Sequence, residues 1–267
     1  MHLQDIYIYP VKSLGGIRLD ESDSEPRGLQ YDRRWMLADK QGTFLTQRTL
    51  PQMALLKVDV TASGLSVHHT QDPENRILIP FEPKTNTMLP VKIWQDVVTG
   101  QLADPDASRW FSEHLNYDCD LIYMPASTRR AVDPEYAVNN DPVSFADGMP
   151  YLLISQASLD DLNSRLTDPV GMSRFRPNLV IAGCEPFEED TWDEIAIGET
   201  VFKIVKPCAR CIVTTVDQDT GIQGKEPLKT LSGYRKFGNK VLFGQNMVLV
   251  RGTKITAGCE MTIHTCR

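Results

Sequence analysis

The chain has 267 residues, 41% of them hydrophobic and 24% charged, with a formal net charge of −7. This is the composition of a soluble globular protein long enough for two domains, and its overall field repels a polyanion, which argues against nucleic acid as a partner. No run of about 18 apolar residues offers a membrane span, and the opening MHLQDIYIYP lacks the sections of a secretory signal, so a cytoplasmic protein without a membrane partner is expected.

In chain order, residues 5–11 (DIYIYPV), 33–39 (RRWMLAD), 54–60 (ALLKVDV), 65–69 (LSVHH) and 76–80 (RILIP) carry β-branched and aromatic residues and predict short strands. Turns fall at 38–42 (ADKQG) and 61–64 (TASG), and the regular spacing predicts a barrel or sandwich. Residues 21–28 (ESDSEPRG) and 82–86 (EPKTN) have the polarity of surface loops. Residues 106–116 set Trp110, Phe111 and Leu115 on one side at helical spacing, with Asp106 or Ser108 as the N-cap.

Residues 127–150 are polar, rich in Pro and Asp, and aperiodic, which predicts a long loop of the kind that carries function. Residues 155–166 (SQASLDDLNSRL) predict the clearest helix, capped by Ser155 or Ser158, with acids in its first turns, Arg165 near its end and Leu159, Leu162 and Leu166 as its apolar stripe. Strands follow at 178–183, 194–198, 200–206, 210–217, 247–251 and 260–265. The whole is mostly β, of the α+β class with a few helices, and has no internal repeat.

Six cysteines in a chain of this size are no disulfide framework, and most are expected to be reduced; Cys184, in VIAGCE, reads as a core residue. Cys208 and Cys211 form a C-x-x-C in KPCARCIVTTVDQDTG. Structural zinc needs a second ligand pair, and Cys259, His264 and Cys266 have no zinc spacing. A thioredoxin-type dithiol opens a helix, whereas IVTTV predicts a strand. Two structural thiols are the plain alternative, but Lys206 and Arg210 flank the pair, and cations beside a thiol favour the thiolate, a soft-metal ligand. Strand alternation points Arg210 and Cys211 to opposite faces unless a bulge intervenes.

The same run, with KEPLKTL at 225–231 and LFGQN at 242–246, resembles the MOSC domain, and YPVKSL at 9–14, YDRRWMLAD at 31–39 and FLTQR at 44–48 resemble the β-barrel domain that precedes it. ASLDDLNSRL at 157–166 and FRPNLVIAG at 175–183 extend the match to nearly the whole chain, in the manner of the amidoxime-reducing MOSC proteins. The resemblance implies a small N-terminal β-barrel domain at 1–122 and a β-barrel-like MOSC domain at 123–267. It also implies a molybdenum cofactor (molybdopterin) enzyme that reduces small N-hydroxylated substrates by two-electron N–O cleavage.

By residue, the resemblance puts the metal on Cys211 as catalytic ligand, and leaves Cys208 as a structural thiol. Lys12, Ser13, Arg33, Arg176, Asn178 and Arg210 match positions that contact the cofactor; Asn246 stands where some relatives carry tyrosine, and Asp147 belongs to the set through the long loop. A phosphorylated pterin independently calls for Arg, Lys and N–H donors. Contributions from both halves place the cofactor between two β-rich domains. Neither a C-x₄-C-x₂-C ferredoxin module nor an anchoring segment is seen, so a separate electron donor of ferredoxin, flavodoxin or flavin reductase type is expected. A persulfide-bearing sulfur carrier and a cofactor-binding chaperone are the competing readings.

Overall fold

The computed structural model describes all of residues 1–267. The first half comprises β1 (His2–Ile8), β2 (Ile17–Leu19), β3 (Glu21–Glu25), β4 (Gly28–Leu29), β5 (Trp35–Asp39), β6 (Leu56–Thr61), β7 (Gly64–His69), β8 (Asp72–Pro80), β9 (Met88–Ile93), β10 (Asp96–Leu102), α1 (Pro105–Leu115) and β11 (Cys119–Tyr123). The second comprises β12 (Tyr151–Ser155), α2 (Gln156–Asn163), β13 (Leu179–Ala182), β14 (Trp192–Ile197), β15 (Thr200–Arg210), α3 (Leu228–Tyr234), β16 (Lys236–Phe237), β17 (Lys240–Arg251), β18 (Lys254–Thr256) and β19 (Met261–Cys266). The mostly β, α+β reading holds. No helix is long and apolar enough to cross a membrane.

A nine-stranded sheet runs β19-β14-β15-β17-β12-β13-β1-β2, with β16 also paired to β17. Its one parallel pair, β12 with β13, is joined by α2, because parallel neighbours need a crossover. The chain's first strand lies in this sheet: Ile6 faces Leu179, and Leu3, Ile6 and Ile8 are buried with Leu153, Ile195 and Phe202. A four-stranded sheet, β5-β11-β10-β9, and a meander, β6-β7-β8, enclose a second core of Trp35, Leu37, Met53, Phe111 and Leu121. Leaving the first core at Ile8 and entering the second at Val11, the chain delivers residues 9–14 to the junction.

Several expectations are corrected. The segment 21–25 is strand β3, paired with β18 and β4, because Ser22 and Ser24 alternate inward with exposed neighbours. The cap of α1 is Asp104, whose carboxylate accepts from the N–H groups of Asp106 and Ala107; Pro105 then fits the first helical position. Ser155 caps α2, which ends at Asn163, so Arg165 lies beyond it yet still reaches Asp161. Cys184 is half-buried at the core margin, and burial with the nearby Glu189 pushes its thiol up to about 11. The hairpin β9–β10 and the helix α3 add elements for which no pattern was found in the sequence.

Residues 210–217 are not a strand: β15 ends at Arg210, and Ile212–Thr215 form a 3₁₀ turn. The Thr214 hydroxyl donates to Cys211 O at 2.9 Å and the Thr215 hydroxyl to Ile212 O at 2.7 Å. Threonine thus satisfies local carbonyls that a strand would offer to a neighbour, overriding its β propensity.

Candidate functional site

Where β1 gives way to the loop 9–14, Lys12 donates its N–H to Trp35 O at 2.8 Å and turns its side chain inward. Only 5% of the residue is exposed. Its ammonium donates to Phe145 O at 2.8 Å and to Asp147 Oδ1 at 2.5 Å, so a first-half cation is fixed by the long loop of the second half. A buried ammonium is tolerated only with such partners. Burial still dominates and lowers the Lys12 pKa to about 8, although Asp147 raises it. Asp147 itself, its side chain 58% exposed, is pushed up by loss of water but pulled further down by the charges of Lys12 and Arg48.

Arg33 and Arg176 lie over the ring of Tyr9, with guanidinium carbons 4.5 and 4.1 Å from its centroid. Arg33 Nη1 is tied to the buried Asp32 at 2.6 Å, and Nη2 donates to Arg176 O at 3.2 Å. Burial, aided by the Arg33 charge, lowers Arg176 to about 10. Two cations held together with little water define a place where an anion is stabilising. Ser13, Arg33 and Arg176 have φ of 68°, 49° and 55°, in the left-handed region that non-glycine residues avoid. Three such residues around one cleft place backbone strain at the site, as functional sites do.

Pairing between β15 and β17 slips between Pro207 and Ala209, and the strand stops at Arg210. The irregularity and the stop let Cys208, Arg210 and Cys211 all line the cleft, answering the question of opposite faces. Arg210 donates through Nη1 to Cys208 Sγ at 2.9 Å and through Nη2 to Phe175 O at 2.6 Å, while its Nε is buried with no partner. Arg174 braces the turn after Cys211 by donating to Thr214 O at 2.9 Å and to Asp217.

Arg48, the last residue of FLTQR, joins the cleft beyond the set expected from the sequence. Its Nη2 donates to Cys211 Sγ at 3.2 Å and to Asp147 Oδ2 at 3.1 Å, and its carbon lies 4.5 Å from the centroid of the Trp94 ring. Burial works against its charge, but Asp147 and Cys211 together raise its pKa. Trp94 comes from the turn between β9 and β10 at φ 56°, and no sequence pattern marked it.

These groups border one cleft of about 530 Å³ between the two halves. All nine residues singled out from sequence line it: Lys12, Ser13, Arg33, Asp147, Arg176, Asn178, Arg210, Cys211 and Asn246. Asn178 is the most engaged, with Nδ2 donating to Tyr7 O and Oδ1 accepting from Leu152 N and Arg33. Asn246, half-buried, reaches Pro207 O at 3.4 Å. Lys12, Arg33, Arg48, Arg174, Arg176, Lys206, Arg210 and Lys240 are cationic, against the single carboxylate of Asp147. In a chain of net charge −7 this is a sharp local inversion.

Residues 1–118 match the family model of the MOSC N-terminal beta barrel domain, and residues 140–262 that of the MOSC domain. Mitochondrial amidoxime-reducing component 1 of Mus musculus is 36% identical over 274 residues, 95% of this chain and 79% of its own. The Homo sapiens protein of that name is 34% identical over 95% of this chain and 80% of its own. Molybdenum cofactor sulfurase of Oryza sativa is 33% identical over 98% of this chain, which spans 34% of that longer protein.

Proposed function

The chain belongs to the MOSC-domain family that includes the mitochondrial amidoxime-reducing components, and on that premise we propose that it is a molybdenum cofactor-dependent reductase of N-hydroxylated compounds. The observation that carries this reading is a cysteine sulfur presented in a cleft with eight cations and one carboxylate. The reaction is R–NHOH + 2 e⁻ + 2 H⁺ → R–NH₂ + H₂O, and an amidoxime loses its oxygen in the same balance.

The residues fit molybdopterin. A dianionic phosphate suits the paired guanidinium groups of Arg33 and Arg176, with Lys12 and Ser13 beside them. The unpartnered Nε of Arg210 offers a further donor. Cys211 provides one thiolate for the metal, and Asn246 borders the same space. When bound, the molybdenum supplies the oxygen-atom chemistry. The cofactor is then held between the unit built on the second core and the nine-stranded sheet, to which β1 and β2 of the expected 1–122 domain belong and of which 123–267 supplies the rest.

The protein's own part is ligation, orientation and charge. Arg48 holds the Cys211 sulfur, Asp147 holds both Arg48 and Lys12, and Lys12 carries a proton on Nζ at neutral pH beside the reacting space. The electrons come from a separate donor protein of ferredoxin, flavodoxin or flavin reductase type. Elemental analysis of protein made in a host that synthesises molybdopterin tests the reading. One molybdenum per chain, with retention weakened in Cys211→Ser, and turnover of benzamidoxime support it. Absence of molybdenum despite cofactor supply, with cyanolysable sulfur on the protein, would replace it with a sulfur carrier.

A further inference from the structure

The surface beside the Cys211 turn carries positive charge that the protein does not neutralise. Lys225, Lys229, Lys236 and Lys240 are exposed, and none pairs with a carboxylate. The single acid of residues 220–240, Glu226, is half-buried and accepts the N–H of Thr230. Of the acids around it, Asp190 is engaged with Arg235, Asp217 with Arg174 and Asp219 with Lys57, and the exposed Asp133 and Glu135 stand only at its Lys240 end, around Lys206. Exposed apolar side chains belong to the same stretch of chain, Phe237 being 77% and Ile222 68% exposed.

This surface lies close to the thiol. Arg210, the residue before Cys211, pairs across to Val241, and Val241 pairs to Lys236. Two strand spacings put Lys236 about 10 Å from Arg210. The helix α3 packs on the 3₁₀ turn that follows Cys211, and Arg174 ties Glu226 O to that turn at 3.2 Å. Lys240 belongs to both the surface and the cleft wall.

We propose that this face, Lys225 to Lys240 with the exposed Phe237 paired across from Lys240, docks an acidic electron-carrier protein. The inference rests on the reductase reading, which requires a separate donor. Outside this face and the cleft the chain is acidic, with a net charge of −7 overall, so an acidic carrier is repelled by most of the surface and steered to this side of the molecule. An exposed aromatic within a charged rim suits the small, transient contact of electron-transfer pairs.

The test uses cofactor-loaded protein and the triple variant K225E/K229E/K236E, which leaves the cleft-lining Lys240 intact. Turnover is driven by reduced plant-type [2Fe–2S] ferredoxin, by reduced flavodoxin, or by dithionite-reduced methyl viologen. The expected result is loss of about tenfold or more in carrier-driven kcat/KM at low salt, with viologen-driven turnover unchanged. In the unsubstituted protein the carrier-driven rate falls as salt rises. Equal loss with viologen, no loss at all, or failure of both acidic carriers where viologen works would overturn the docking face. A protein inactive even with viologen is no reductase, and the docking role falls with that activity. If phosphatidylserine vesicles bind the native chain and not the variant while carrier coupling is intact, the face is a membrane contact and the proposal is overturned.

Discussion

Arg48 joins Cys211 to Asp147 through one nitrogen: Nη2 lies 3.2 Å from the sulfur and 3.1 Å from the carboxylate. Its Nη1 is held 3.1 Å from Thr46 Oγ1, so the guanidinium is anchored at its far side. With Cys211 as the proposed metal ligand, a group that orients it in this way affects metal affinity or activity by about 10- to 100-fold. Arg48→Gln is therefore expected to lower molybdenum retention during dialysis and kcat/KM together by about that factor. Arg48→Lys keeps the charge but loses the Thr46 anchor, and a partial recovery is expected. Metal content and steady-state kinetics on both variants check this.

The Lys12–Asp147 pair gives a pH dependence with a defined sign. Lys12 has its folded pKa lowered to about 8 from 10.5, chiefly by burial, so the unfolded chain binds more protons between those values. The Lys12 contribution to stability therefore rises with pH from about 8 to about 10.5. Asp147 is shifted in the same direction, below the ordinary carboxylate range, so its contribution also rises with pH: it is present at neutral pH and lost on acidification. In Asp147→Asn the Coulombic support of the ammonium is gone, and the Lys12 titration moves below about 8. Side-chain carbon NMR of the metal-free protein, with ¹³C-labelled lysine, reads the midpoint directly.

Much of this site was legible because its residues sit in local motifs that also shape the backbone. Lys12 and Ser13 follow a strand that the alternation of Ile6 and Ile8 reveals, and Arg176 precedes a β-branched run. The roles of Arg48 and Trp94 depend on tertiary approach: Arg48 ends the FLTQR motif and Trp94 has no patterned neighbour, but each meets Cys211 or Asp147 only after the halves assemble. The turn at 212–215 reads as strand in the sequence because Val and Thr favour strands, while the hydrogen bonds of the Thr214 and Thr215 hydroxyls leave no trace in periodicity. Likewise β3 hides in a polar string, since serines can fill small inward positions.

Cys208 and Cys211 are distinguished by their partners. Cys208 Sγ meets Arg210 Nη1, whereas Cys211 Sγ meets the Arg48 group that also binds Asp147. A hydroxyl can replace the Cys208 sulfur as an acceptor for Arg210, so Cys208→Ser is expected to keep full molybdenum content and turnover within about twofold. Loss of metal in Cys208→Ser, with Cys211→Ser unaffected, would exchange their roles. Elemental analysis of the two variants, purified side by side, decides between them.

Asn178 shows that a cleft residue can act on the frame. It is 1% exposed, and its side chain bonds Tyr7 O at 3.1 Å and Leu152 N at 3.2 Å, fastening β1 to the strand that begins at Tyr151. Its own backbone N–H and C=O bond Leu152 O and Tyr7 N, each at 2.8 Å, so the residue is clasped from both sides. In Asn178→Ala the Tyr7 carbonyl and the Leu152 N–H, both in half-buried residues, lose side-chain partners, at about 1–3 kcal/mol for each group left unsatisfied. The expected loss is about 2–4 kcal/mol in the free energy of unfolding, read from urea denaturation of the metal-free protein. Because Asn178 also receives Arg33 Nη1 at 3.3 Å, the anion-facing guanidinium loosens as well. A variant with unchanged urea midpoint but weakened cofactor retention would show that Asn178 acts on the ligand, and the frame role would be withdrawn.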